Sequence, residues 1–353
     1  MKKVRFGIVG TGRISDWVLK GAVLEPRFEA AAICSRTEEN AEAFAAKHGI
    51  PRIFTDVEEL ASDPSVDAVY IGTPNDTHHD LAIRCLDHGK HVLCEKPLAS
   101  NAREVREMAA AARANGVVLM EAMISTLSPN FRMVQEKVKE LGPVRNYSGT
   151  FCQFSSKYDL LKKILSGESD SPVPSSFNPD RSGGALMDIG VYPIYPMVAL
   201  FGSPRSVKAN VLTVDVPTSC GMMPVDLQGT VLFEYEGMTA TATYSKIADS
   251  KLRTEISCER GILSLDQIHI TRQVELTMRG APTSGRSSGP ATTDITVPCD
   301  PDEYLCEFKE FIDVIGSGRP GSENNSLANS LAVAEVMDEI RRQAGIIFPA
   351  DNR

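Results

Sequence analysis

The stretch Val4-Arg5-Phe6-Gly7-Ile8-Val9-Gly10-Thr11-Gly12-Arg13-Ile14-Ser15 decides the fold. A short apolar run meets two glycines one residue apart, and a helical pattern over residues 14–24 follows at once. Between a strand and a helix, such glycines read as a dinucleotide signature. Gly10 permits the tight turn, and Gly12 lets the backbone approach a pyrophosphate held by the free N–H groups and dipole of the helix N-terminus. Gly10, Thr11, Gly12, Arg13 and Ile14 are therefore expected to bind a dinucleotide. Ser15 stands where the pattern usually has a third glycine, and its small side chain still allows helix and strand to come together.

Working outward, apolar runs at 4–9, 28–34, 53–54, 66–71, 91–93 and 117–120 alternate with helical stretches at 14–24, 38–48, 78–87 and 103–114. This is the pattern of a doubly wound parallel sheet, so the fold class is α/β with an N-terminal Rossmann domain over residues 1–122. After a helix at 130–140 the texture changes to strands with period-two apolar spacing at 145–154, 206–214, 225–235, 239–246, 253–259 and 268–278. They predict a C-terminal α+β domain over 123–353 with a large, mostly antiparallel, open-faced sheet. Segments 166–176, 217–224 and 280–293 read as mobile loops, and helices at 302–315 and 327–342 close the chain. A sheet with one uncovered face points to a homodimer or higher homo-oligomer formed through it.

The 353 residues suit two domains, and the 42% hydrophobic and 24% charged composition is that of a globular protein. A net charge of −9 with no Lys/Arg block argues against nucleic-acid and anionic-membrane partners and for a small-molecule ligand. No apolar run approaches the roughly 18 residues of a membrane helix, and no secretion leader precedes the first strand, so a cytoplasmic location is expected. The eight cysteines are scattered, which implies reduced and mostly buried thiols. The six histidines include no H-x-x-x-H arrangement, so no metal site is expected.

At the end of the second strand, where an NAD enzyme usually places an acid, the chain reads Ser35-Arg36. A hydroxyl and a guanidinium suit a 2′-phosphate, so NADP is expected in preference to NAD.

Two further segments carry chemistry. The fourth strand ends in Gly72-Thr73-Pro74-Asn75-Asp76-Thr77-His78, and the next runs His91-Val92-Leu93-Cys94-Glu95-Lys96-Pro97. With the glycine turn, and with Ser182-Gly183-Gly184-Ala185-Leu186-Met187-Asp188-Ile189-Gly190-Val191-Tyr192, they resemble the glucose-fructose oxidoreductase / inositol dehydrogenase / rhizopine catabolism (GFO/IDH/MocA) family. The resemblance implies a nicotinamide-dependent oxidoreductase with Lys96, Asp188 and Tyr192 as catalytic residues, and a cis bond before Pro97. It also implies that Thr73, Pro74, Asn75, His78, Glu95 and Lys96 lie at the cofactor. Many members have histidine where Tyr192 stands; the glucose-fructose oxidoreductase and dihydrodiol / D-xylose dehydrogenase branches resemble this chain in using tyrosine.

Chemistry supports the same residues. An ammonium at the carboxyl end of a parallel strand suits a polar substrate, and Asp188 and Tyr192, four apart on a helix starting near Gly184, share a face. A free phenol titrates near pH 10, so Tyr192 acting as base needs a nearby positive charge. The implied reaction is hydride transfer between the nicotinamide and a carbinol or carbonyl carbon of a sugar, sugar derivative or cyclic diol. The alternatives are an oxidoreductase that keeps its cofactor bound and couples two substrates, and a non-catalytic NADP sensor.

Overall fold

Six short runs form a parallel sheet, all but the edge strand β3 with buried apolar side chains: β1 (Val4–Val9), β2 (Phe28–Cys34), β3 (Arg52–Phe54), β4 (Ala68–Ile71), β5 (His91–Glu95) and β6 (Leu119–Ala122). The structure is a computed structural model that describes residues 3–280 and 291–353. The strand order is β3-β2-β1-β4-β5-β6, so the order reverses between β1 and β4. In doubly wound sheets ligands bind outside the carboxyl ends of the strands at that reversal. Helices Arg13–Ala22, Glu38–His48, His78–Asp87 and Ala102–Ala114 connect the strands. One short helix, Val57–Ser62, is absent from the sequence reading; Asp56 caps it by accepting a bond from the Glu58 N–H at 3.0 Å.

The chain divides into two units, and the division differs from the expected one. The first comprises 1–127 with the returning segments 300–335 and 350–353; the second comprises 128–299 and 336–349. Aromatic packing explains why 300–335 returns. Phe308 of helix Leu305–Ser317 lies 5.4 Å from Phe6 and 5.2 Å from Phe28, ring centre to ring centre, and Phe311 lies 5.9 Å from Phe6. Each such pair adds about 0.5–1.5 kcal/mol beyond the burial of its area.

In the second unit, β7 (Val144–Cys152), β8 (Ser206–Thr218), β9 (Gly221–Tyr235), β10 (Met238–Ser245), β11 (Thr254–Cys258), β12 (Gly261–Leu265), β13 (Val274–Met278) and β14 (Thr292–Asp294) form one sheet. Its order is β14-β13-β12-β11-β7-β10-β9-β8, with only β7 and β10 parallel. Helix Val191–Phe201 lies on one face, where the Tyr147 hydroxyl donates to the Pro193 carbonyl at 2.8 Å. The other face carries Ser148, Thr230, Leu232 and Thr241, with Leu232 54% exposed.

Three expectations are corrected here. Residues 217–224 are no loop but the tip of the β8–β9 hairpin, where Pro217 stands opposite Met222 and Asp215 opposite Pro224. The prolines suggested a break, yet both fit extended backbone at the end of a two-stranded ribbon. Within 268–278 only Val274–Met278 is strand, and β12 was not foreseen. The helical stretch Pro179–Phe201 has the length and hydropathy to cross a membrane, but 72% of its most apolar window is buried inside the protein. Most of the segment 280–293 lies outside the described residues.

Candidate active site

The glycine turn has the shape its sequence predicts. Gly10 adopts φ +102°, and a Cβ there would meet the Gly72 carbonyl oxygen at 2.7 Å, so only glycine fits between the ends of β1 and β4. A Cβ on Gly12 would make one ordinary contact, with the Gly72 carbonyl oxygen at 3.9 Å, so nothing crowds it. Gly12 caps helix Arg13–Ala22 without a side-chain bond, so that helix end has no capping side chain. Such an end, beside an uncrowded glycine, fits a dinucleotide pyrophosphate. Ser15 is fully buried, and its Oγ lies so close to Gly72 that a Cβ on Gly72 would come within 2.6 Å of it. The hydroxyl thus fills the space of the usual third glycine.

At the carboxyl end of β2, the Thr11 and Ser35 hydroxyls stand 3.5 Å apart and Arg36 is exposed. Thr37 caps the next helix by accepting from the Asn40 N–H, which leaves Arg36 at the mouth of that helix. The Arg13 guanidinium lies 4.8 Å above the Trp17 ring.

Thr73, Pro74 and Asn75 follow β4 after Gly72, at the strand end beside Gly10. His78, expected at the cofactor, begins the next helix. Its ring is fully buried, with Nε2 at 2.9 Å from the Thr73 carbonyl and Nδ1 at 3.0 Å from the Pro97 carbonyl. The ring lies between the Thr73 turn and the Lys96–Pro97 turn, and because a neutral imidazole carries one N–H it donates to one of the two carbonyls, the tautomer setting which. Burial holds its pKa below the usual imidazole range.

Lys96 follows β5 and precedes a cis bond to Pro97, as the resemblance implied. Behind it lies a feature the sequence reading missed, a set of buried acids. Glu95, Glu121 and Glu307 are 7%, 2% and 1% exposed, and all three feel the charge of Lys96. The Tyr70 hydroxyl donates to Glu95 Oε1 at 2.8 Å, and the Leu98 N–H donates to Glu121 Oε1 at 3.0 Å. Burial raises all three carboxyl pKa values, Glu121 to about 7. A buried carboxylate loses its hydration, and the nearby Lys96 ammonium offsets that only in part. Glu95, expected at the cofactor, turns its side chain into this cluster.

In the second unit, Gly184 (φ +138°) opens the segment that carries Asp188 and Tyr192. The turn Leu186–Gly190 is a π-helical one, wider than the α-helix expected, before the regular helix Val191–Phe201 begins. Such wide turns recur at functional sites. Asp188 is partly exposed and pairs with the ammonium of Lys246, itself 6% exposed. The Leu186 N–H donates to Asp226 Oδ2 at 2.6 Å, and burial pushes the Asp226 carboxyl up to about 6. Tyr192 meets Phe151 edge to face at 5.5 Å, and the His269 ring, stacked on Phe151 at 4.1 Å, lies 5.9 Å from Tyr192.

Lys246, Asp226 and His269 were all missed. Lys246 left a signal: it continues the inward row Met238, Ala240, Ala242, Tyr244, where a lysine needs a partner. Asp226 left none, because the β8–β9 pairing skips Leu227 and changes the phase of the alternation. Among the described residues no group of three or more His, Cys, Asp or Glu side chains converges as metal ligands would.

Comparison with known proteins adds to this geometry. Residues 4–123 match the model of an oxidoreductase family, NAD-binding Rossmann fold (GFO/IDH/MocA), and residues 131–264 match the GFO/IDH/MocA C-terminal domain. Over 348 residues, 99% of each chain, the sequence is 42% identical to the scyllo-inositol 2-dehydrogenase (NADP(+)) IolU of Bacillus subtilis (strain 168). It is 31% identical over 353 residues, 98% of this chain and 99% of the other, to the trans-1,2-dihydrobenzene-1,2-diol dehydrogenase of Xenopus laevis. The fold matches that of levoglucosan dehydrogenase, solved with NADH and levoglucosan, with a TM-score of 0.82, 98% coverage of both chains and 21% identity.

Proposed function

The chain belongs to the GFO/IDH/MocA oxidoreductase family, and we propose that it catalyses NADP-linked hydride transfer at a secondary alcohol of a sugar, inositol or cyclic diol. The observation that carries this reading is Lys96 at the carboxyl end of β5, one strand from the sheet's reversal, backed by a buried acid cluster. When bound, the nicotinamide takes up or delivers the hydride at the carbinol or carbonyl carbon. Lys96 donates a hydrogen bond to the reacting oxygen and stabilises its developing negative charge. In oxidation the Tyr192 phenolate takes the proton from that oxygen, and in reduction the Tyr192 phenol gives it back. Asp188 accepts a bond from a neighbouring substrate hydroxyl.

NADP is favoured over NAD by Ser35 and the exposed Arg36, which match a 2′-phosphate, and by the NADP(+) of the 42% identical relative. We read the cell compartment as cytoplasmic and the assembly as a homodimer or higher oligomer using the open sheet face. The test is NADP reduction across aldoses, inositols, sugar acids and cyclic diols with wild type, Lys96→Met and Tyr192→Phe. Each variant is expected to lose at least a hundredfold in kcat with NADP affinity retained. Near-wild-type turnover in either removes the role given to that residue.

A further inference from the structure

We propose that Lys246 and Asp226 are positioning residues that clamp the turn bearing Asp188, and that Lys246 thereby selects substrates with a hydroxyl beside the reacting carbon. The inference rests on the substrate contact assigned to Asp188 above.

The clamp has two points. Asp226 is 1% exposed; its Oδ2 accepts the Leu186 N–H at 2.6 Å, and its Oδ1 lies where a Cβ on Gly184 would come within 2.1 Å. The start of the turn is therefore bound to a carboxyl that tolerates only glycine beside it. Two residues along, Asp188 is gripped by Lys246, whose body is 4% exposed and whose ammonium also stands 4.9 Å above the Phe177 ring. A buried ammonium is costly unless paired, and here Asp188 touches it while the charge of Asp226 acts on it.

The chemical consequence concerns Asp188. A cation in contact favours the ionised carboxylate, and an ionised carboxylate can only accept hydrogen bonds. Asp188 held this way recognises a hydroxyl donor on the substrate and gains nothing from a bare methylene. Hydrogen bonds to charged groups are worth enough to change kcat/KM by about tenfold to a hundredfold. Lys246 thus reads a vicinal diol indirectly, by keeping Asp188 an acceptor.

The probe pair is trans-cyclohexane-1,2-diol and cyclohexanol, each offered to the 353-residue chain with NADP. Wild type is expected to prefer the diol by about tenfold to a hundredfold in kcat/KM. Lys246→Met should narrow that ratio, raising KM for the diol more than it lowers kcat, and Lys246→Arg should restore it. Lys246→Gln, which keeps a donor without the charge, decides the same question if the methionine variant does not fold. A second readout needs no turnover: the carbon-13 carboxyl resonance of Asp188 should titrate at higher pH in the neutral variants than in wild type. Should no alcohol be oxidised, the reaction assigned above fails, and the resonance still decides the clamp. An unchanged diol preference in the neutral variants, or an Asp188 resonance that does not move, overturns the proposal.

Discussion

Replacing Glu121 by glutamine should make the protein more stable at alkaline pH and leave it nearly unchanged in acid. The carboxyl on β6 is 2% exposed, accepts the Leu98 N–H at 3.0 Å, and has its pKa raised by burial from 4.5 to about 7. Below pH 4.5 the group is protonated whether the chain is folded or not. Between there and about pH 7 the folded protein retains a proton that the unfolded chain has released, so stability falls as pH rises and levels off above. At about 1.4 kcal/mol per tenfold change in proton affinity, the displacement is worth about 3 kcal/mol. Glutamine keeps an acceptor for Leu98 and removes the titration, at the expense of about 1 kcal/mol for the bond from Ser330. Urea unfolding of both proteins at pH 5 and pH 8.5 is the assay. The stability of Glu121→Gln relative to wild type should rise by about 2.5 kcal/mol from the first pH to the second, because the unfolded carboxyl is already mostly ionised at pH 5. A difference of the same size at both refutes the picture of a carboxyl kept protonated by burial.

Two other outcomes are expected. Arg36→Ala should weaken NADP binding by at least tenfold while leaving NAD binding within about twofold, measured by calorimetric titration; equal effects on both cofactors remove the assignment to the 2′-phosphate. Light scattering at micromolar concentration should give a dimer or larger species, and Leu232→Glu, placed on the exposed sheet face, should shift it toward monomer. A monodisperse wild-type monomer contradicts the reading of that face.

Much of the first unit was legible because its signals are local. Strands at 4–9 and 28–34 and helices at 38–48 and 78–87 stand as read, each bounded by a glycine, a cap or a charged turn. Gly10, Gly12 and Ser15 could be assigned because backbone conformation and side-chain size decide their roles. What escaped depends on distant partners. Glu307 joins Glu95 and Glu121 only because Phe308 brings its helix against Phe6 and Phe28, and no spacing within 301–320 foretells that. Asp226 turns inward through a register shift, whereas Lys246 was visible as a lysine in an apolar row and went unread. His78, which a motif position implies at the cofactor, has its ring buried between the Thr73 and Pro97 carbonyls, a neighbourhood set by two turns that no local spacing foretells.

Transfer of deuterium tests the central claim most directly. Members of the sugar, inositol and cyclic diol panel, deuterated at the carbinol carbon, are incubated with the wild-type protein and NADP, and the nicotinamide formed is analysed by mass and by NMR. One deuterium at C4 of NADPH is predicted, vanishing with Lys96→Met and with Tyr192→Phe. NADP that binds yet is never reduced by any member of the panel, or NADPH that carries no deuterium, contradicts the account.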